Sequence, residues 1–297
     1  MALGVCVALT SSPAATLGVN PSADTTLIEN APTNNLGGQT FFNAGSNFHT
    51  NRNHGLVKFN LVEAVPAGSR IRGVSLTVTV MQQGIDMPDL ATFYLHRVLR
   101  DWGEGNKFSP GSPGQGLPAT LGEATWRDRF AFTSNSWAQP GGAPGIDYVA
   151  AISAEQEIRN PQGSPYTFFS TPTLVADVQA WVDNPATNFG WMLRPADESI
   201  PSTAKRFASH EDTNNAPVLA IDFVPPPQLS SLQISSNKFS FRFDAEAGQG
   251  YLVQYVNRLG VTNAWNTLVV VDPPPTTSSV LISDVLSTQR IYRVTAP

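Results

Sequence analysis

Charge is what this chain has least of. Charged residues fill 14% of its 297 positions, against roughly 25% in an ordinary soluble domain. Lys+Arg 18 against Asp+Glu 23 leaves a formal net charge of −5. No broad positive field exists to displace counterions, so nucleic acid is excluded as a partner class. Cysteine is nearly absent as well: Cys6 is the only one, so no intrachain disulfide holds the fold. No apolar run approaches the roughly 20 residues of a membrane helix, so no membrane span is expected. A phosphate loop, a dinucleotide fingerprint, a G-x-S-x-G elbow and an H-E-x-x-H helix are all missing. The expectation is a protein that is not an enzyme.

What replaces charge is Gly 23 and Pro 24, with many Thr, Asn and Ser. That mix suits short strands joined by turns. In "VSLTVTV", Val74, Leu76, Val78 and Val80 share one face while Ser75, Thr77 and Thr79 share the other, the period of a half-buried strand. "QTFFNAG", "GLVKFNL", "TFYLHRV", "FGWMLRP", "KRFASHE" and "VLAIDFV" read the same way. One segment departs. In "TPTLVADVQAWVDNP", Leu174, Val178, Trp181 and Val182 fall on one helical face, Pro172 suits a first turn and Pro185 closes it. A short helix is predicted there.

The apolar run at residues 2–9 is followed by "TSSPAAT", where Ser12 and Ala14 fit the small-residue rule of a cleavage site. Residues 1–19 are therefore read as a partial signal peptide and leader, with a disordered tail as the competing reading. The expected location is secreted, extracellular or at the cell surface. Residues 20–224 form a first β-sandwich. The stiff "PPPQ" at 225–228 is a linker, and residues 229–297 form a small second sandwich similar to a fibronectin type III or immunoglobulin-like module. The fold class is all-β, and residues 106–145 are loop-rich.

Asp101 and Glu104 bracket Trp102 and Gly103. A glycosidase needs carboxylates facing each other across a sugar, about 5 to 10 Å apart. Two residues of one turn do not supply that, so Trp102 is assigned to the core. Of the six tryptophans, Trp102, Trp126, Trp181, Trp191 and Trp265 adjoin apolar periodic segments and are expected to be core. Trp137, in "SNSWAQPGG", has polar and Gly/Pro neighbours, as an exposed sugar-stacking ring would. Hiding about 100 Å² of apolar surface on it contributes about 2.5 kcal/mol, less than the roughly 4 kcal/mol of millimolar affinity. Further contacts are needed, and Arg127, Arg129, Lys107 and Tyr148 are the nearest candidates in sequence. Arg127 and Arg129 share a face if "WRDRF" is extended, and paired guanidiniums favour uronic acids. The four histidines show no metal-ligand spacing; His49 and His54 read as loop. Asp24 and Glu29, and Asp86 and Asp89, are loop acids that suit a structural calcium ion, the one cofactor class the sequence allows.

"GLVKFNLVEAVPAGSRIRGVSLTVTV", "HRVLRDWGEG", "EATWRDRF", "VADVQAWVDNPATNFGWMLR" and "KRFASHEDTNNAPVLAIDF" resemble, in order, the DNRLRE domain, also classed as carbohydrate-binding module family 96. The likeness covers residues 21–224. It implies a secreted bacterial β-sandwich of jelly-roll type and a polysaccharide partner, alginate being bound by some members. Glu123 and His210 stand where the family often has Asp and Arg, so no ligand contact is carried over. Two functions follow from different classes: a non-catalytic carbohydrate-binding protein, or a structural or adhesive surface protein whose sandwiches are spacers and whose partners are other surface or matrix proteins.

Overall fold

The computed structural model describes residues 15–83, 90–110, 114–159, 165–258, 264–285 and 289–296. The N-terminal apolar run with Cys6, and the Asp86–Asp89 turn, lie outside them. The described residues are all-β apart from one helix and a short helical turn. Among the described residues no helix is long and apolar enough to cross a membrane. The chain divides into two compact units, one of residues 16–65 and 71–222, the other of 223–297 with 66–70.

Among the described residues eleven strands, almost all of their length in the larger unit, connect through shared hydrogen bonds. The path runs Ala15–Val19, Val218–Val224, Arg70–Gln83, Lys205–Ala208, Phe41–Ser46, Arg52–Phe59, Trp191–Pro195, Leu90–Arg97, Ala154–Arg159. Pro165–Phe168 joins Arg70–Gln83, and Pro21–Ile28 joins Arg52–Phe59. The alternation read from the sequence holds: Val74, Leu76, Val78 and Val80 are all buried. Ala15–Val19, within the stretch read as leader, is a strand on this path. Asp24, read as a loop acid, sits inside the strand Pro21–Ile28 and is buried.

The helix spans Pro172–Asp183 and buries Leu174, Val178, Trp181 and Val182 as predicted, with Asp177 added. Thr171 caps it, its hydroxyl accepting from the Leu174 N–H at 3.0 Å, which satisfies one of the orphan donors of the first turn. Pro172 at the first helical position loses no bond. Buried Asp177 accepts from the Trp191 indole at 3.0 Å and pairs with Arg97 at 3.3 Å; burial raises its carboxyl above the ordinary range.

The described residues of the smaller unit form two three-stranded antiparallel sheets. One is Ser230–Ser235, Lys238–Ala245 and Ser278–Val285; the other is Asn266–Val271, Tyr251–Val256 and Ile291–Thr295. Phe241, Phe243, Tyr251, Val253 and Ile282 form its core. Trp265 does not join it. The ring is half-buried under the Arg293 guanidinium, 4.2 Å from its centroid, so its assignment to the core is corrected.

Candidate functional site

The loop-rich segment packs onto the larger sandwich. Alternation puts Leu56 of Arg52–Phe59 opposite Met192 of Trp191–Pro195, and both enter an apolar cluster with Leu27, Val98, Trp102, Trp126, Trp137 and Tyr148. The period of two then carries Arg52 and His54 to the same face as Leu56, and Arg194 to the face of Met192. Glu29 follows Leu27 by two residues. Beyond the apolar base the strands thus end in a ring of ionic side chains.

They line a pocket of about 600 Å³, with Trp126 and Tyr148 in its wall. Glu198 is its centre. One carboxylate oxygen meets His54 Nε2 at 2.6 Å; the other accepts from Arg194 at 2.8 Å, with Arg52 Nη1 at 3.7 Å. Glu29 takes Arg52 bidentately at 2.6 and 3.0 Å and accepts from the Arg52 backbone N–H at 2.7 Å. Arg194 also donates to the Tyr148 hydroxyl at 2.5 Å. Both nitrogens of His54 face oxygen, the second meeting the Gly141 carbonyl at 2.8 Å. Gly141 has φ +84, and a Cβ there would lie 2.4 Å from the Trp126 ring, so only glycine permits this approach. The Arg52 guanidinium stands 5.2 Å from the Trp126 centroid and Arg194 5.7 Å from that of Tyr148.

Burial pushes the Glu198 carboxyl up, but the His54 hydrogen bond and the charges of His54, Arg194 and Arg52 outweigh it and hold it below the ordinary value. The bidentate bond from Arg52 lowers Glu29.

Of the residues named from sequence, Tyr148 and Glu29 line this pocket. Trp137 does not. It is only 4% exposed, with its indole N–H donating to the Thr125 carbonyl at 3.0 Å and its backbone N–H to Arg127 at 3.1 Å. The loop folds back so that the ring fills the cluster, and the sugar-stacking assignment is corrected. Lys107 is held by Glu123 at 3.2 Å and Thr120 at 2.9 Å. Arg129 is held by the Asp101 carbonyl at 2.9 Å and the Ser136 carbonyl at 3.3 Å. Arg127 is exposed on the surface. These cations form no common site with Trp137. Asp24 and Glu29 do not form a calcium set either: Glu29 faces Arg52, whereas Asp24 faces Glu104 and His210. Asp101 is exposed and pairs with Lys58 at 3.3 Å, and Trp102 is buried, its indole bonded to the Phe189 carbonyl at 2.9 Å.

Arg52 and His54 escape a strand that starts at Gly55, and Arg194 lies in a strand recognised only for its apolar face. Extending the alternation back through "RNHGLVK" would have put Arg52 and His54 on the face of Leu56 and Lys58. Glu198 had no signal beyond its i,i+4 spacing from Arg194. No family model matches the chain, and no curated protein matches it.

Proposed function

We propose that this is a secreted, non-catalytic polysaccharide-binding protein, as the resemblance to the DNRLRE family implies, and that the Glu198 pocket holds its glycan. The observation that carries the reading is the ion-paired ring of Arg52, Arg194, Glu29 and Glu198 around the pocket, with the buried rings of Trp126 and Tyr148 backing the two guanidiniums rather than meeting the sugar themselves. Planar polar groups already held by one another lose little side-chain freedom on meeting sugar hydroxyls. Arg52 is the most open of them, 40% exposed, and its Nη1 is only loosely engaged by Glu198. A uronic carboxylate suits that donor.

Two features support binding without cleavage. A glycosidase needs a carboxyl kept protonated near neutrality, and both pocket carboxyls are held low instead. Glu104 is raised to about 7 by burial, but its partner Asp24 is 1% exposed, beyond the reach of a sugar. A second reading, the structural or adhesive one, draws on Leu232, Ile234 and Val270, apolar side chains exposed on the smaller sandwich.

The test is affinity electrophoresis and calorimetry against alginate and a neutral glucan. Arg52→Ala should weaken binding at least about tenfold, the loss of one charge-assisted contact, while Arg127→Ala leaves it unchanged. Equal binding by both variants would remove the pocket assignment. Absence of binding to any glycan would favour the structural reading.

A further inference from the structure

We infer that Asp24, Glu104 and His210 form a site for a divalent transition-metal ion with mixed nitrogen and oxygen ligands, zinc being the ion the geometry suits. The three come from distant segments: the strand Pro21–Ile28, the loop after Trp102, and the turn following Lys205–Ala208. Their ligand atoms all lie within 4.8 Å of one another. His210 Nδ1 is 3.2 Å from Asp24 Oδ2 and 3.2 Å from Glu104 Oε1. Around a tetrahedral zinc, bonds of about 2.0–2.2 Å place neighbouring ligand atoms about 3.3–3.5 Å apart, so these spacings already match two edges of the coordination figure.

The donors are oriented by backbone. Asp24 Oδ2 accepts from the His210 N–H at 2.7 Å, and Glu104 Oε1 accepts from the Asp24 N–H at 2.7 Å. Such bonds hold carboxylates in the orientation a metal ion needs. Charge points the same way. Glu211 adds a third carboxylate, 3.4 Å from the same Nδ1. Among the described residues no Lys or Arg forms an ion pair with Asp24, Glu104 or Glu211; imidazole is the only cation source. A metal replaces the Nδ1 proton, which leaves to solvent. The site is closed behind Asp24 yet open at Glu104 and His210, which are 25% and 29% exposed. That opening admits the ion and leaves room for a water or Glu211 as fourth ligand. Calcium fits less well, since it takes six to eight oxygens, whereas imidazole suits zinc.

The test is calorimetry of zinc chloride into chelator-treated protein, with cobalt(II) uptake followed by visible absorption. The wild type should bind one ion with release of a proton. His210→Arg keeps a cation among the carboxylates but supplies no metal donor, and should lose at least about 100-fold in affinity, the upper end of what losing only a ligand's hydrogen-bond partner costs. Circular dichroism checks that it folds, and His210→Gln takes its place if it does not. Because His49 is exposed, His49→Ala is the control and should bind as the wild type does. No binding by the folded wild type would overturn the site. So would binding that His49→Ala abolishes and His210→Arg leaves intact.

Discussion

The pocket around Glu198 and the cluster around Asp24 both withdraw carboxylates from water, yet they answer burial in opposite directions. In the pocket, two guanidiniums and an imidazole face two carboxylates, and Glu29 and Glu198 end below their ordinary values. In the cluster, three carboxylates share one imidazole. Burial raises Asp24 despite its bonds from His210, and takes Glu104 to about 7. The hydrogen bond to Asp24, with the charges of Asp24, Glu104 and Glu211, takes His210 to about 9. The lesson is that burial alone does not set a carboxylate's state; the supply of cations around it does.

The largest effect should come from removing the pocket's shared acceptor. Glu198→Ala takes the shared acceptor from Arg194 and from the buried His54 ring; because Glu198 and Arg194 are only half-buried, the loss should be about 1–3 kcal/mol. Equilibrium urea unfolding at neutral pH measures it. A loss below about 1 kcal/mol would mean that water already satisfies these donors, and the contrast with the cluster would collapse.

Next in size is the response to pH in chelator-treated protein. Glu29 and Glu198 have depressed values, so their stabilisation is present above the unfolded glutamate value of 4.5 and is lost as pH falls through the folded values. Glu104 and His210 have raised values. Their contribution is complete below the unfolded values of 4.5 and 6.5 and is lost as pH rises through about 7 and about 9. Thermal unfolding across this range should therefore show two separate declines, one acid and one alkaline. In His210→Arg the alkaline decline due to His210 should vanish, because arginine stays charged. An unchanged alkaline limb would assign that decline elsewhere.

The smallest effect sharpens the comparison most. Glu104→Gln imitates the protonated carboxyl, which at a value of about 7 is half the population at neutral pH, and keeps an acceptor for the Asp24 N–H; it should change stability by less than about 1 kcal/mol there. A loss approaching that of Glu198→Ala would show that Glu104 works as a fully ionised partner of His210.

Local chemistry was written plainly in the sequence. The alternation of Val74 to Val80 and the cap–proline–apolar pattern around Thr171 and Pro172 are properties of a few adjacent residues. Backbone geometry turns such patterns into strands and helix wherever they occur. Trp102 could be placed in the core for the same reason, since it lies just beyond an apolar strand. Trp137 could not be placed. Its neighbours are polar, and only the fold of the loop brings Leu27, Leu56 and Met192 beneath it. Arg52 and His54 were within reach of the alternation once it was carried far enough back. The convergence of Asp24 with Glu104, 80 residues away, and with His210, 186 residues away, had no local trace at all. Contacts across such separations depend on which strands pair and in what register, and that is decided by burying apolar faces together rather than by the residues that end up meeting. The sequence by itself determined the helix and the strands whose apolar residues alternate, because those patterns are local; the tertiary structure alone decided which charges would share a site and which would find a cation there.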